Sequence, residues 1–443
     1  IQKLTPPQAQ KIPKDVTVHQ DTRIDDYYWL KERDTQPVLD YLKAENDYTF
    51  AKMKHTELLQ KTLYNEMRGR IKEDDTTVPY KFGNYMYYTR TEENLQYDIY
   101  CRKLGNSSGA EEITLNMNDM AKKHDYIDLS AYKISPNEKL LALTIDTSGA
   151  ELHKLIIKNI KTGETLDDHL SNLDGSVEWA NDNKTLFYTV LDKAHRSYQL
   201  WRHELGSEQS DDVLVFQEDD DRFSVGLHRT KSGEFLKMDL ESQITTEVHL
   251  LDRNDPFGEW KLVQPREQGV EYYVYHHGDY LYQITNKDAI NFKMIRTTLK
   301  GGKEDEIIPN RDKTTLDNVS MFKNHMAVLE RVNGNLEIRL FNFEDESWYN
   351  IEMNEDIYSL TFEDNYDWNS DFFRFGYGSF KTPYSVFDID FKTHKKTLRK
   401  KEEILGGYES ENYVSERIWA PTHDGKKLAI TLLYKKGINL KGN

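Results

Sequence analysis

A chain of 443 residues is long enough for two or three ordinary domains, or for one large repeat domain with appendages. Its formal charge of −17 argues against a nucleic-acid partner, whose phosphates demand a basic face, while permitting the steering of cationic peptides. A single cysteine, Cys101, rules out an internal disulfide and fits a reducing compartment, and no apolar run approaches the roughly 18 to 20 residues needed to span a bilayer.

The first 76 residues stand apart from the rest. The chain begins at Ile1 rather than Met, which reads as a processed or trimmed start and leaves a removed export signal open. Pro37, just after Asp34 and Thr35, suits the first turn of a helix. Leu59, Leu63, Met67 and Ile71 recur every four residues, the spacing of one helix face. The expectation is an extended arm, then one or two helices over about residues 37–72.

From Val78 the pattern changes to strands, in keeping with 28 tyrosines and 18 phenylalanines. Gly83-Asn84 precedes Tyr85 to Tyr88, and Tyr97 to Leu104 returns. Pro136-Asn137 precedes Leu140 to Ile145, and His153 to Ile160 returns before Lys161-Thr162-Gly163. Asn181-Asp182-Asn183 precedes Leu186 to Leu191, and Tyr198 to Leu205 returns. Ser232-Gly233, Gly278-Asp279, Lys323-Asn324 and Asn369-Ser370 punctuate four further units. Most of these are residues able to take the backbone angles of tight turns. The strands that follow the turns start near Tyr85, Lys139, Lys184, Phe235, Tyr280, His325 and Phe372, a spacing of roughly 45 to 54 residues that matches propeller blades. One four-stranded blade cannot bury both faces, whereas neighbours in a ring can. The expected fold is therefore mainly β: a seven-bladed propeller over residues 77–405, a helical N-terminal arm over 1–76, and a linker with one further strand over 406–443. The fourth unit carries the weakest signal, because Glu234 to Ser242 alternates poorly. WD40 and kelch signatures are absent.

In an antiparallel four-stranded blade, the loops joining strands two and three share a face with the blade-to-blade connections. The chain enters the first blade near Val78 and leaves the last near Arg399, so both flanks are expected on that face. The loops that look at it include Thr91 to Gln96, Thr147 to Glu151 and Asp192 to Ser197.

Motifs for chemistry are sparse. Gly105-Asn106-Ser107-Ser108-Gly109 formally matches a nucleophile elbow, but such an elbow needs a strand before it and a helix after it, and Ala110 to Thr114 read as another strand. No His-Glu-x-x-His or paired Cys-x-x-Cys supports a zinc site, and phosphate-loop and dinucleotide glycine fingerprints are missing. His276-His277 reads as an exposed pair at a turn, and Glu218-Asp219-Asp220-Asp221 as a solvated connection. The expectation is no metal, no cofactor and no catalytic residue.

Segments of the arm, the first blade and the C-terminal end carry a family likeness. Asp25-Asp26-Tyr27-Tyr28-Trp29-Leu30, Tyr41-Leu42-Lys43-Ala44-Glu45-Asn46 and Glu66-Met67-Arg68-Gly69-Arg70-Ile71 resemble the N-terminal arm of the prolyl oligopeptidase family. Glu73-Asp74-Asp75, Val78-Pro79-Tyr80 and Tyr97-Asp98-Ile99-Tyr100-Cys101-Arg102 are similar to its oligopeptidase B (protease II) branch. Tyr413-Val414-Ser415-Glu416-Arg417 with Asp424-Gly425 resembles the family's crossing from propeller to hydrolase. The likeness runs in order from about Asp25 to Tyr434.

That resemblance implies a propeller capping an α/β-hydrolase domain that cuts short basic peptides after Arg or Lys, with a Ser-Asp-His triad doing acyl transfer. It implies that the arm belongs structurally with the hydrolase, and that the propeller excludes folded proteins by covering the active site. It also implies a soluble, cytoplasmic protein, with the periplasm left open by the start at Ile1. The hydrolase body that follows Leu428 to Tyr434 in family members is missing from this sequence, so the chain alone is expected to be inactive, its partners being basic oligopeptides and a C-terminal hydrolase domain. Glu92, Glu93, Glu151 and Arg196 are the candidate substrate-facing or interdomain residues, each also explicable as a solvated loop charge. The rival readings are a non-catalytic propeller that binds peptides or proteins, and a propeller glycosidase, for which no carboxylate pair stands out.

Overall fold

The computed structural model describes residues 4–105 and 109–442. The chain divides into two compact units: Ile1–Lys72 with Ile404–Gly407, and Glu73–Glu403 with Tyr408–Asn443.

The smaller unit opens with an antiparallel hairpin, Lys14–Val18 against Asp21–Asp25. Its two turn residues, His19 and Gln20, both sit at positive φ, 52° and 67°, the geometry that matches the twist of a two-residue hairpin. Trp29 donates its indole N–H to the Gln10 carbonyl at 2.8 Å and meets Tyr41 edge-on. Helix α1 (Gln36–Met53) starts after an extended Thr35 with proline in its first turn. A 3-10 turn at Lys54–Thr56 leads into α2 (Glu57–Arg68). The helical arm is thus shorter than expected: one helical run, broken by a single 3-10 turn, preceded by a β-hairpin. Leu59, Leu63 and Met67 lie exposed, and Ile71 falls beyond the helix.

The larger unit corrects the blade count. Among the described residues, seven separate blades are not present. Five four-stranded sheets accompany one continuous seven-stranded sheet, all antiparallel and in chain order. They are sheet 1 (residues 80–116), the seven-stranded sheet 2 (128–217), sheet 3 (224–264), sheet 4 (272–308), sheet 5 (314–350) and sheet 6 (359–401). The expected second and third units are fused because Leu170–Trp179 has two roles. Its start pairs with the preceding outer strand, Leu170 opposite Leu155 and Leu173 opposite His153, and its end pairs with the strand that follows, Trp179 opposite Leu186. The register shifts on both sides, and Gly175 lies at the break with φ 111°. A side chain there would meet the Ser130 hydroxyl at 2.3 Å, so glycine lets one strand bend out of one half-sheet into the next.

A buried polar clamp holds this sheet. His203, fully buried, places Nδ1 2.7 Å from Asp212 and Nε2 3.1 Å from Asp168. Tyr188 donates to Asp212 and the Gly206 N–H to Asp168.

Apolar clusters lie between adjacent sheets. One joins Tyr282, Ile284 and Met294 of sheet 4 to Leu316, Val319 and Met326 of sheet 5. The first and last sheets close the ring with side chains rather than a shared strand. Arg374, buried, makes two bonds to Asp388 (2.7 and 3.0 Å) and donates a third to the Pro79 carbonyl at 2.8 Å. Tyr80 packs on Tyr366, and Lys81 pairs with Asp367. The final segment is also corrected: it is a hairpin, Tyr413–Pro421 against Lys427–Lys435, not a lone strand. Arg417 bonds Asn335 at 2.7 Å and Tyr408 donates to the Lys381 carbonyl at 3.0 Å, so the segment rests on the loops joining strands two and three of sheets 5 and 6.

Candidate functional site

Contacts that skip a sheet identify the strands around the axis. Lys231, in the first turn of sheet 3, hydrogen-bonds Ser320 of sheet 5 at 3.0 Å, with its ammonium nitrogen 3.1 Å from the centre of the Phe322 ring. Arg229 lies over Phe82 of sheet 1. Sheet 3 reaches both only across the axis, so the first strand of each sheet is innermost, and the end bearing the first turns is filled. Burial lowers the Lys231 pKa to about 6.

Further along the axis the first and second strands present polar side chains. Lys133 pairs with Glu178. His228, 62% exposed, stands 3.7 Å from Asp239, which also holds Lys237 at 3.1 Å. The Tyr275 hydroxyl donates to Asn318 at 3.3 Å, and burial raises its pKa. Burial, then Asp239, raises the pKa of Glu241. The axis is therefore aromatic at one end and charged beyond it.

The predicted residues lie on the loops of the opposite face. Glu92 pairs with Arg90. Glu93 is its exposed neighbour. Glu151 sits at φ 58°, its N–H donated to Asp146 at 2.8 Å. Arg196 spends its guanidinium internally, pairing with Asp192 at 2.9 Å and donating to the carbonyls of Glu218, Asp220 and Phe223. Arg196 thereby fastens its loop to the next inter-sheet connection. Among the described residues, no hydrogen bond or ion pair joins these four to one another.

One serine meets a histidine: Ser232 donates to His276 Nδ1 at 2.8 Å, while Nε2 donates to the Gly278 carbonyl at 2.6 Å. The arrangement has the form of a nucleophile and its base, yet Ser232 also bonds Thr230 at 2.9 Å and His276 is fully buried, its pKa lowered by that burial. It locks one turn to the next sheet. The exposed pair expected at His276-His277 is corrected accordingly: His276 is buried and His277 stacks on Phe343. Burial raises the Cys101 pKa to about 11, leaving an unreactive thiol. Asn106, Ser107 and Ser108 of the formal elbow lie outside the described residues; the strands flanking them, Ile99–Leu104 and Glu111–Asn116, pair antiparallel. Among the described residues no cluster of three His, Cys, Asp or Glu has metal-holding geometry, and no helix is long and apolar enough to cross a membrane.

This architecture defines a β-propeller built of five four-stranded blades and a seven-stranded half-barrel. The family model for the prolyl oligopeptidase N-terminal β-propeller domain matches residues 7–402, and the chain belongs to that family. It is 31% identical to Protease 2 of Moraxella lacunata over 97% of this chain and 63% of that protein. It is 33% identical to dipeptidyl aminopeptidase BI of Pseudoxanthomonas mexicana over 99% of this chain and 64% of the relative. Oligopeptidase B from Leishmania major superposes with a TM-score of 0.92 at 28% identity, covering 99% of this chain and 66% of that one. The chain spans a little under two thirds of the length of the relatives it matches.

Proposed function

We propose that this chain is the arm and propeller portion of an oligopeptidase B-like serine peptidase that cleaves short peptides after Arg or Lys, and that it is inactive without a C-terminal α/β-hydrolase domain. The supporting observation is the near-complete superposition on oligopeptidase B by a fold whose described residues offer no nucleophile, base and oxyanion hole together. In this reading the propeller limits substrate size, and Glu92, Glu93 and Glu151 present negative charge to basic peptides or to the hydrolase domain. Arg196 acts through loop shape rather than by contact.

The test uses two polypeptides: this 443-residue chain, and the same chain extended by a relative's hydrolase segment. With fluorogenic peptides ending in Arg, Lys or Pro, the expected result is no turnover by the first and Arg- and Lys-selective, serine-inhibitor-sensitive turnover by the second. Serine-inhibitor-sensitive turnover by the shorter chain overturns the proposal. A second reading, dipeptide removal from free N-termini, is favoured by the 33% identity to a dipeptidyl aminopeptidase; blocking the substrate's N-terminus abolishes cleavage in that case only. A non-catalytic peptide-binding propeller remains the outcome if neither polypeptide turns over substrate.

A further inference from the structure

The outer side of sheets 1 and 2 holds a cleft of about 830 Å3, within the range of small-molecule sites. It follows from the fused sheet. Residues 164–166 turn back along the end of the outer strand His153–Asn159, with Lys158 opposite Thr165 and the Leu166 N–H on the Ile157 carbonyl at 2.8 Å, and residues 167–169 then leave that pairing before the chain returns as Leu170–Trp179. The opposite wall is Glu111–Asn116 and the short helix α3 (Met117–Ala121).

The lining separates by chemistry. Leu115, Ile145 and Ile156 make an apolar floor, while Lys123, Lys154 and Lys158 supply positive charge. Lys154, Ile156 and Lys158 alternate along one strand and so share its face. Lys158 bridges the walls by donating to the Thr114 carbonyl at 3.1 Å, which leaves two of its three N–H groups for a ligand. Among the described residues, none of the three lysines has a carboxylate at ion-pair distance. The lining carboxylate, Asp119, is held by Lys122 at 2.7 Å. Burial lowers the Lys158 pKa, with Asp119 opposing, as for a cation lacking its counter-ion. In a chain of net charge −17, this is a local concentration of unpaired positive charge above an apolar floor.

We propose that this cleft binds an amphipathic carboxylate, its anionic head on Lys158 and its saturated tail along Leu115, Ile145 and Ile156. The probe is sodium dodecanoate below its critical micelle concentration, titrated calorimetrically into the 443-residue chain. The expected result is one site. Shortening the tail should weaken binding by about fourfold per methylene, and dodecanol should bind at least tenfold more weakly. Lys158→Met should lose about tenfold or more, and Lys154→Glu, at an exposed position and with an unchanged circular dichroism spectrum as the expected control, severalfold. Unchanged affinity in both variants, equal binding of dodecanol, or no binding overturns the proposal. So does binding only to anionic vesicles, which assigns the lysines to a lipid surface, or concentration-dependent dimerisation lost in Lys154→Glu, which assigns them to a second copy.

Discussion

His203 offers a direct test of how the fused sheet is held. Its ring is wedged between two buried carboxylates, Asp168 and Asp212. Burial alone pulls its pKa down, but the hydrogen bonds that Asp212 and then Asp168 accept from the ring prevail and hold it above the ordinary value. Only the protonated ring has two N–H donors; a neutral ring satisfies one carboxylate and turns a lone pair toward the other. Each charged hydrogen bond is worth about 1.5–3 kcal/mol. Asp212 keeps the Tyr188 hydroxyl and Asp168 keeps the Gly206 N–H, so the loss in His203→Asn falls near the low end, about 3 kcal/mol. Because the folded pKa is raised, the contribution is complete below about pH 6.5 and declines as pH rises through the folded pKa. Urea unfolding followed by tryptophan fluorescence reads the right region, since Trp179 and Trp201 belong to the same sheet. The wild-type advantage over His203→Asn should be largest near pH 6 and shrink toward pH 9. An advantage that is flat or grows with pH refutes the reasoning.

Ring closure rests on Arg374, and Arg374→Met should cost about 3 kcal/mol in urea unfolding, moderated because Arg399 still pairs with Asp388 at 2.7 Å; a loss under about 1 kcal/mol would mean that the apolar contacts close the ring unaided. At Gly376, a Cβ would lie 1.8 Å from the Tyr384 hydroxyl and 2.3 Å from that of Thr361, so Gly376→Ala should destabilise by about 1–3 kcal/mol, with part of the loss recovered when Tyr384→Ala is added; simple additivity of the two contradicts the clash. Lys231→Met should stabilise by about 1–3 kcal/mol at pH 7. With a folded pKa of about 6 against an ordinary value near 10.5, the wild-type penalty is complete below pH 6 and disappears toward pH 10, so a benefit that grows with pH is the contrary result.

The strand positions were legible from local chemistry. The strands expected near Tyr85, Phe235, Tyr280, His325 and Phe372 begin at those residues, and two more begin at Leu140 and Thr185. Even the poorly alternating Glu234–Ser242 contains a regular strand, Phe235–Glu241, because its polar Asp239 finds Lys237 and His228 as partners. The candidate loops were read as positions, but their chemistry was not. Nothing local to Arg196 distinguishes a free loop charge from a fastener whose acceptor carbonyls lie at Glu218, Asp220 and Phe223. The same holds for the cleft lysines: Lys154 and Lys158 read as exterior strand residues, and nothing local to them announces the facing wall of Glu111–Asn116 and Met117–Ala121.

The sequence by itself determined where strands start, where turns fall and that the strands must stack as repeats, since turn residues and alternation act over a few positions. Only the tertiary structure decided how many sheets those strands make. Whether Leu170–Trp179 ends one sheet or begins the next depends on backbone partners on both sides, and antiparallel pairing satisfies the same N–H and C=O groups in either case. The bend at Gly175 allows both at once, and that fusion is what separates this ring from seven equal blades and opens the basic cleft along its edge.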